Sequence, residues 1–149
     1  MLRSALLLLA WTAPVPVAPR AGPSVALPDG SAEWRGRAVC VDETGGQREC
    51  LAEGNRFALQ SADGRLHWFA PNDPLAPVLD DIRIRQQEVV VKVRSRGDGT
   101  ADLIKVYSAK HGKLHDVRYF CEVCNVTSFV PGLCSCCRAE MELKETPVE

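Results

Sequence analysis

Five of the seven cysteines lie within the 17 positions from Cys121 to Cys137. Cys121 and Cys124 form one CxxC, Cys134 and Cys137 a second, and nine residues separate the two pairs. A zinc ion takes four ligands in a tetrahedron, with Zn–S distances of about 2.3 Å. A CxxC on a tight turn supplies two thiolates, and two such turns facing each other across a hairpin supply four. Pro131-Gly132 marks a turn between the pairs, and the alternation of Val126, Ser128 and Val130 with Thr127 and Phe129 suits a strand. Cys136, inside the second CxxC, is a surplus thiol. It leaves the ligand set open between Cys134 with Cys137 and Cys134 with Cys136. Four thiolates close the coordination sphere, so Zn2+ held here is structural. Cu(I) is the alternative, because thiolates suit it and Cys134-Ser135-Cys136-Cys137 is dense. Disulfides are the third reading, although five cysteines leave one thiol over.

A segment of about 25–30 residues cannot bury a core alone, and zinc ligation contributes on the order of 10–16 kcal/mol to such modules. Phe120 and Phe129 are the residues expected to pack this segment against the rest of the chain. His111 and His115, flanking Lys113, would match metal ligands only on a helix, which Gly112 opposes. They read as a solvated connection, with an accessory metal role as the alternative.

The N-terminus reads as an export signal. Arg3 precedes the apolar stretch Ala5 to Trp11, a charged start and a short hydrophobic run. Prolines at 14, 16, 19, 23 and 28 forbid a helix afterwards. Small residues at Ser24-Val25-Ala26 suggest a leader over 1–26, without fixing the cleavage site. No apolar run is long enough to span a bilayer as a helix. Loss of Arg3 and Arg20 leaves sixteen basic residues against nineteen acids, a net charge of −3. Such a chain is not built to neutralise phosphates, and nucleic acid is not an expected partner.

From Trp34 the pattern turns to strands. Trp34–Asp42 breaks at Glu43-Thr44-Gly45-Gly46. Arg56–Gln60 and Arg65–Ala70 flank Asp63-Gly64, a hairpin signal. Pro71–Asp81 holds three prolines and at most a short helix. Ile82–Arg96 reads as one long strand, with Val89, Val91 and Val93 on one face. Leu103–Tyr107 is a fifth strand after the Gly97-Asp98-Gly99 turn. Cys40 and Cys50 flank the first turn. In an oxidising compartment the default is a disulfide, stabilising by roughly 2–3 kcal/mol, with two buried free thiols or a metal or redox role as the alternatives. Five strands with a helical insertion after the third predict a small OB-like barrel over 33–110.

Two resemblances carry this further. Val39-Cys40-Val41-Asp42, Cys50, Gly54, Phe57-Ala58-Leu59, Asp63-Gly64, Val89–Val93 and Leu103–Val106 follow the order seen in small exported bacterial OB-fold domains, over about 75 residues. That resemblance implies a fold and no particular activity. Residues 116–145 resemble a short four-cysteine zinc ribbon. Asn125 and Arg138 stand where that pattern has its knuckle glycines. Asn tolerates the left-handed conformation and Arg does so less comfortably.

No GxSxG, HExxH or phosphate-cradling glycine loop occurs. His67 reads as a strand residue, and Asp80-Asp81 as a helix end or solvated turn. Arg83, Arg85, Arg94 and Arg96 read as a solvated basic stripe along one strand pair, with an anion-binding groove as the alternative. The expectation is a mainly β, exported, periplasmic or extracellular protein without catalysis. A Cys121/Cys124/Cys134/Cys137 zinc ribbon would support an OB-like module that binds a protein or polymer partner. Cu(I) handling and thiol–disulfide chemistry by the C-terminal cluster are the alternatives.

Overall fold

The computed structural model describes residues 25–27, 30–42, 44–48, 50 and 56–149. The expected leader up to residue 24 lies outside them, as do Glu43 and Gly54. The chain is mainly β, and its strands join one sheet. A two-residue β1 (Val25–Ala26) pairs with the start of β2 (Ala32–Val41).

β2 divides its length between two partners. Ala32 to Gly36 pair with β5 (Glu88–Ser95), and Arg37 to Val41 pair with β3 (Arg56–Gln60). Gly36 stands where the partner changes. A Cβ there would lie 2.7 Å from the Gln60 carbonyl carbon and 3.1 Å from Ser61 Cα, so backbone occupies the space of a side chain. β3 turns into β4 (Leu66–Phe69) through Asp63-Gly64, as expected, with Gly64 at φ +81°. β4 runs parallel to the start of β6 (Thr100–Lys110), and β6 returns antiparallel along β5. The pairings thus run β2–β3–β4–β6–β5 and back to β2.

Residues 82–87 depart from the expected long strand. Ala76–Asp80 forms a short helix, α1, and Ile82–Arg85 a second, α2. The Asp81 side chain caps α2 by accepting from the Arg83 N–H at 3.0 Å. Ile82 and Ile84 alternate as a strand would, but the cap decides for helix, and only Ile84 is buried. The strand begins at Glu88, and its Val89, Val91 and Val93 are fully buried on one face. The basic stripe is broken accordingly. Arg83 and Arg85 sit on α2, and Arg96 pairs with Asp102 at 2.7 Å.

The second departure is the supposed solvated connection at His111–His115. β6 ends in a two-residue turn, His111-Gly112, with φ +51° and +76°. Two successive positive φ values match the twist of the flanking strands. His115 therefore lies within β7 (Lys113–Cys121). β7 pairs with β6, then with β8 (Val126–Ser128), and along its other edge with β9 (Glu142–Pro147). β9 was not foreseen.

One buried cluster runs through the whole arrangement. It holds Leu59, Phe69, Leu79, Ile84, the three valines and Leu103, and continues through Val117, Tyr119, Cys121, Cys134 and Met141. Tyr119, not Phe120, is the fully buried aromatic of β7. Its hydroxyl donates to Asp81 Oδ2 at 2.9 Å, and Arg83 Nη2 binds the same oxygen at 2.6 Å. Bonds from Arg83, together with Tyr119, hold the Asp81 carboxyl below its ordinary range despite burial.

Two outcomes test this frame. Gly36→Ala should destabilise by about 1–3 kcal/mol or more in denaturant unfolding, because the atoms it meets are backbone. Asp81→Asn should destabilise at neutral pH. A depressed native pKa contributes stability above the unfolded value of about 3.9 and loses it as pH falls through the native value. The gap between wild type and variant should therefore shrink below pH about 4, as followed by denaturation at several pH values.

Candidate metal centre

β7 delivers Cys121 at its last position, and residues 121–124 turn the chain back into β8. Asn125 closes this turn at φ +54°, placed so that Cys121 pairs with Val126. The second turn is built the same way. The Cys134 N–H donates to the Ala139 carbonyl at 2.8 Å, and the Arg138 N–H donates to the Cys134 carbonyl at 3.0 Å. Arg138 sits at φ +64°. Both residues in the knuckle-glycine places are thus left-handed, the conformation that the zinc-ribbon resemblance implies there. Met141 N–H then bonds the Gly132 carbonyl at 3.1 Å, and the chain enters β9 along the far edge of β7.

The two turns face one another. Cys121, Cys124, Cys134 and Cys137 place their sulfurs all within 4.8 Å of each other, and Cys121 Sγ lies 3.5 Å from Cys137 Sγ. Sulfurs about 2.3 Å from one central ion in a tetrahedron stand roughly 3.8 Å apart. The spacing therefore fits a four-thiolate site. Cys121 and Cys134, the first cysteine of each turn, are buried; Cys124 is half-buried and Cys137 exposed. Cys136 is exposed and is not among the four.

The electrostatics favour a cation at the centre. Backbone N–H groups of Cys137 and Cys136 point at Cys134 Sγ and bring its pKa down to about 7. Cys121 Sγ receives the N–H groups of Cys124 and Val123, yet burial and the neighbouring thiols of Cys137 and Cys134 leave its pKa raised. Cys124 is held well above the usual thiol range by the thiols of Cys136 and Cys137. One thiolate is stabilised by amides, and its neighbours resist ionising beside it. A divalent ion removes that conflict by supplying the positive charge the cluster lacks.

The histidines stand apart from this site. His115 precedes Cys121 by six strand residues, about 20 Å at the rise of an extended chain, and His111 lies in the turn beyond it. His67 belongs to β4, half-buried, with its ring 4.8 Å from that of Trp34. Burial lowers its pKa. Phe120 and Phe129, expected to pack the segment, do less than that: Phe120 is half-buried and Phe129 is 53% exposed. Phe129 still lies over the Lys105 ammonium at 4.6 Å and closes a small cleft of about 90 Å³ against Val78, Ile104 and Val117. Tyr119 and Met141 form the buried wall instead. Their signal in the sequence was position alone, two residues before Cys121 and four after Cys137.

Comparison of the chain with known protein families, curated proteins and solved structures finds no match.

The left-handed residues give a direct test. A side chain at positive φ costs about 1–2 kcal/mol, and the extra chain entropy of glycine offsets part of that. Arg138→Gly should raise metal affinity about fivefold in competition with a chromophoric chelator. Asn125→Val should lower it by a similar factor or more.

Proposed function

We propose that this is an exported, non-catalytic protein in which Zn2+ at Cys121, Cys124, Cys134 and Cys137 braces an OB-like barrel, and that the barrel presents a surface to a protein or polymer partner. The observation that carries the reading is the convergence of four sulfurs from two left-handed turns. Zinc bound there has a closed coordination sphere and acts by holding the chain. Cys121 and Cys134 hold it from within the core, Cys124 and Cys137 from the outer side.

The barrel reading draws on the circuit of five strands and its single parallel contact, with helical turns between β4 and β5. Export draws on Arg3 with the apolar run that follows, and on the Cys40–Cys50 disulfide, whose Cα atoms lie 5.2 Å apart. No helix among the described residues is long and apolar enough to cross a membrane. Absence of a recognisable catalytic motif and a net charge of −3 after loss of the leader speak for binding of a partner other than nucleic acid.

A second reading has its own observation. Cys136 places an exposed fifth thiol beside Cys124, and Cu(I) handling uses such a donor. The two readings separate cleanly. Purified without chelator, the chain should carry one zinc per molecule. Cys124→Ser should lose the metal and Cys136→Ser should keep it. Copper in place of zinc, together with loss of affinity in Cys136→Ser, would establish the Cu(I) reading. Removal of the metal by chelator should lower the melting temperature of the whole chain, because Cys121 and Cys134 belong to the common core.

A further inference from the structure

Cys40 and Cys50 form a disulfide at the end of β2, away from the four-cysteine cluster. A cleft of about 240 Å³ opens beside it. Cys40, Gln47, Arg48, Ile82, Arg85 and Gln86 supply most of its wall, and none of the described lining residues carries a carboxylate. Arg85 reaches the disulfide from α2, and its Nη1 donates to Cys50 Sγ at 3.0 Å. Its Nε is shut off from solvent and has no hydrogen-bond partner among the described residues.

The neighbouring arginines are provided for differently. Arg48 pairs with Asp42 and Arg83 with Asp81, at 2.8 and 2.6 Å. Among the described residues, Arg85 has a disulfide sulfur where those have a carboxylate. A disulfide sulfur is a weak acceptor, and a partly buried cation without an anion is costly. Reduction changes this balance, because it turns Cys50 into a thiolate against the guanidinium. An adjacent cation lowers a thiol's pKa, and a lower pKa makes a better leaving group.

We propose that Cys40–Cys50 is a thiol-exchange site, opened by a small anionic thiol bound in the cleft, with Cys50 leaving as a thiolate held by Arg85. The reagent's thiolate attacks Cys40 Sγ, a mixed disulfide forms there, and the Cys40–Cys50 bond breaks with its electron pair on Cys50. A second reagent thiolate attacks the reagent's sulfur in the mixed disulfide. Cys40 leaves and takes a proton from water, and the reagent departs as its own disulfide. Two thiols are oxidised and one protein disulfide is reduced. Arg85 on the wall selects for a reagent that carries carboxylates.

The test uses the metal-loaded protein, reduced glutathione as the anionic thiol and cysteamine as a cationic one, compared at equal thiolate concentration. Alkylation and peptide mass mapping keep Cys40 and Cys50 apart from the cluster cysteines. Glutathione should open the bond about tenfold faster than cysteamine, with the adduct on Cys40 and the free thiol on Cys50. In glutathione redox buffers the couple should lie above about −300 mV, the region below which structural disulfides fall. Arg85→Met should lower the equilibrium constant for reduction about tenfold, which is about 30 mV, and Arg85→Lys should restore most of it. A potential below about −300 mV, an adduct on Cys50, or cysteamine acting as fast as glutathione would each overturn the proposal. These three are read on the wild-type chain, so they stand even if Arg85→Met fails to fold.

Discussion

Four sulfur atoms held within 4.8 Å of one another are the constraint on which the C-terminal third depends. Crowded thiols repel ionisation, and a hairpin of this length has little apolar surface to hold it closed. Cys121 and Cys134 are nevertheless buried in the core that holds Leu79, Val91 and Val117. Their convergence fixes where the second turn lies, and the second turn fixes where Met141 enters the core and where β9 begins. β9 then covers the open edge of β7 from His115 to Phe120. A cation bound at the sulfur cluster would therefore stabilise more than a loop, since backbone pairing and core packing adjoin it.

The same strand ties the cluster to the rest. Tyr119 lies two residues before Cys121 on β7, and its hydroxyl meets the carboxyl that caps α2. Asp81 thus joins three things: the helix cap, an ion pair with Arg83 and the buried tyrosine. On the other side of the fold, β2 closes the circuit by changing partners at Gly36. Neither device belongs to the cysteine cluster, and both orient the strands that carry it.

Parts of this were legible in the sequence because local chemistry left few choices. The CxxC spacing with Asn125 announced a knuckle, the alternation of Val89, Val91 and Val93 announced a buried strand face, and Asp63-Gly64 announced a hairpin. Cys40 and Cys50 at ten residues' separation announced a bridge. Elsewhere two patterns coincided. Ile82 and Ile84 satisfy both a strand period and one turn of helix, and the Asp81 side chain, not hydrophobicity, decides between them. β7 was hidden because His115, Asp116 and Arg118 look solvated. In the fold Asp116 pairs with Lys105 and Arg118, so charge on the strand is answered by charge beside it. β9, with the sequence Glu-Leu-Lys-Glu-Thr-Pro, has almost no apolar alternation and exists through its backbone pairing with β7. The ligand set left open by Cys136 is a matter of geometry that spacing alone does not decide.

The central claim is that one metal ion sits among Cys121, Cys124, Cys134 and Cys137. X-ray absorption at the metal edge, on protein purified without chelator, addresses it most directly. The account predicts zinc with four sulfur neighbours at about 2.3 Å and no nitrogen or oxygen in the coordination sphere. Zinc bound by histidine nitrogen or carboxylate oxygen, or a chain without metal whose cluster cysteines are paired as disulfides, would contradict it.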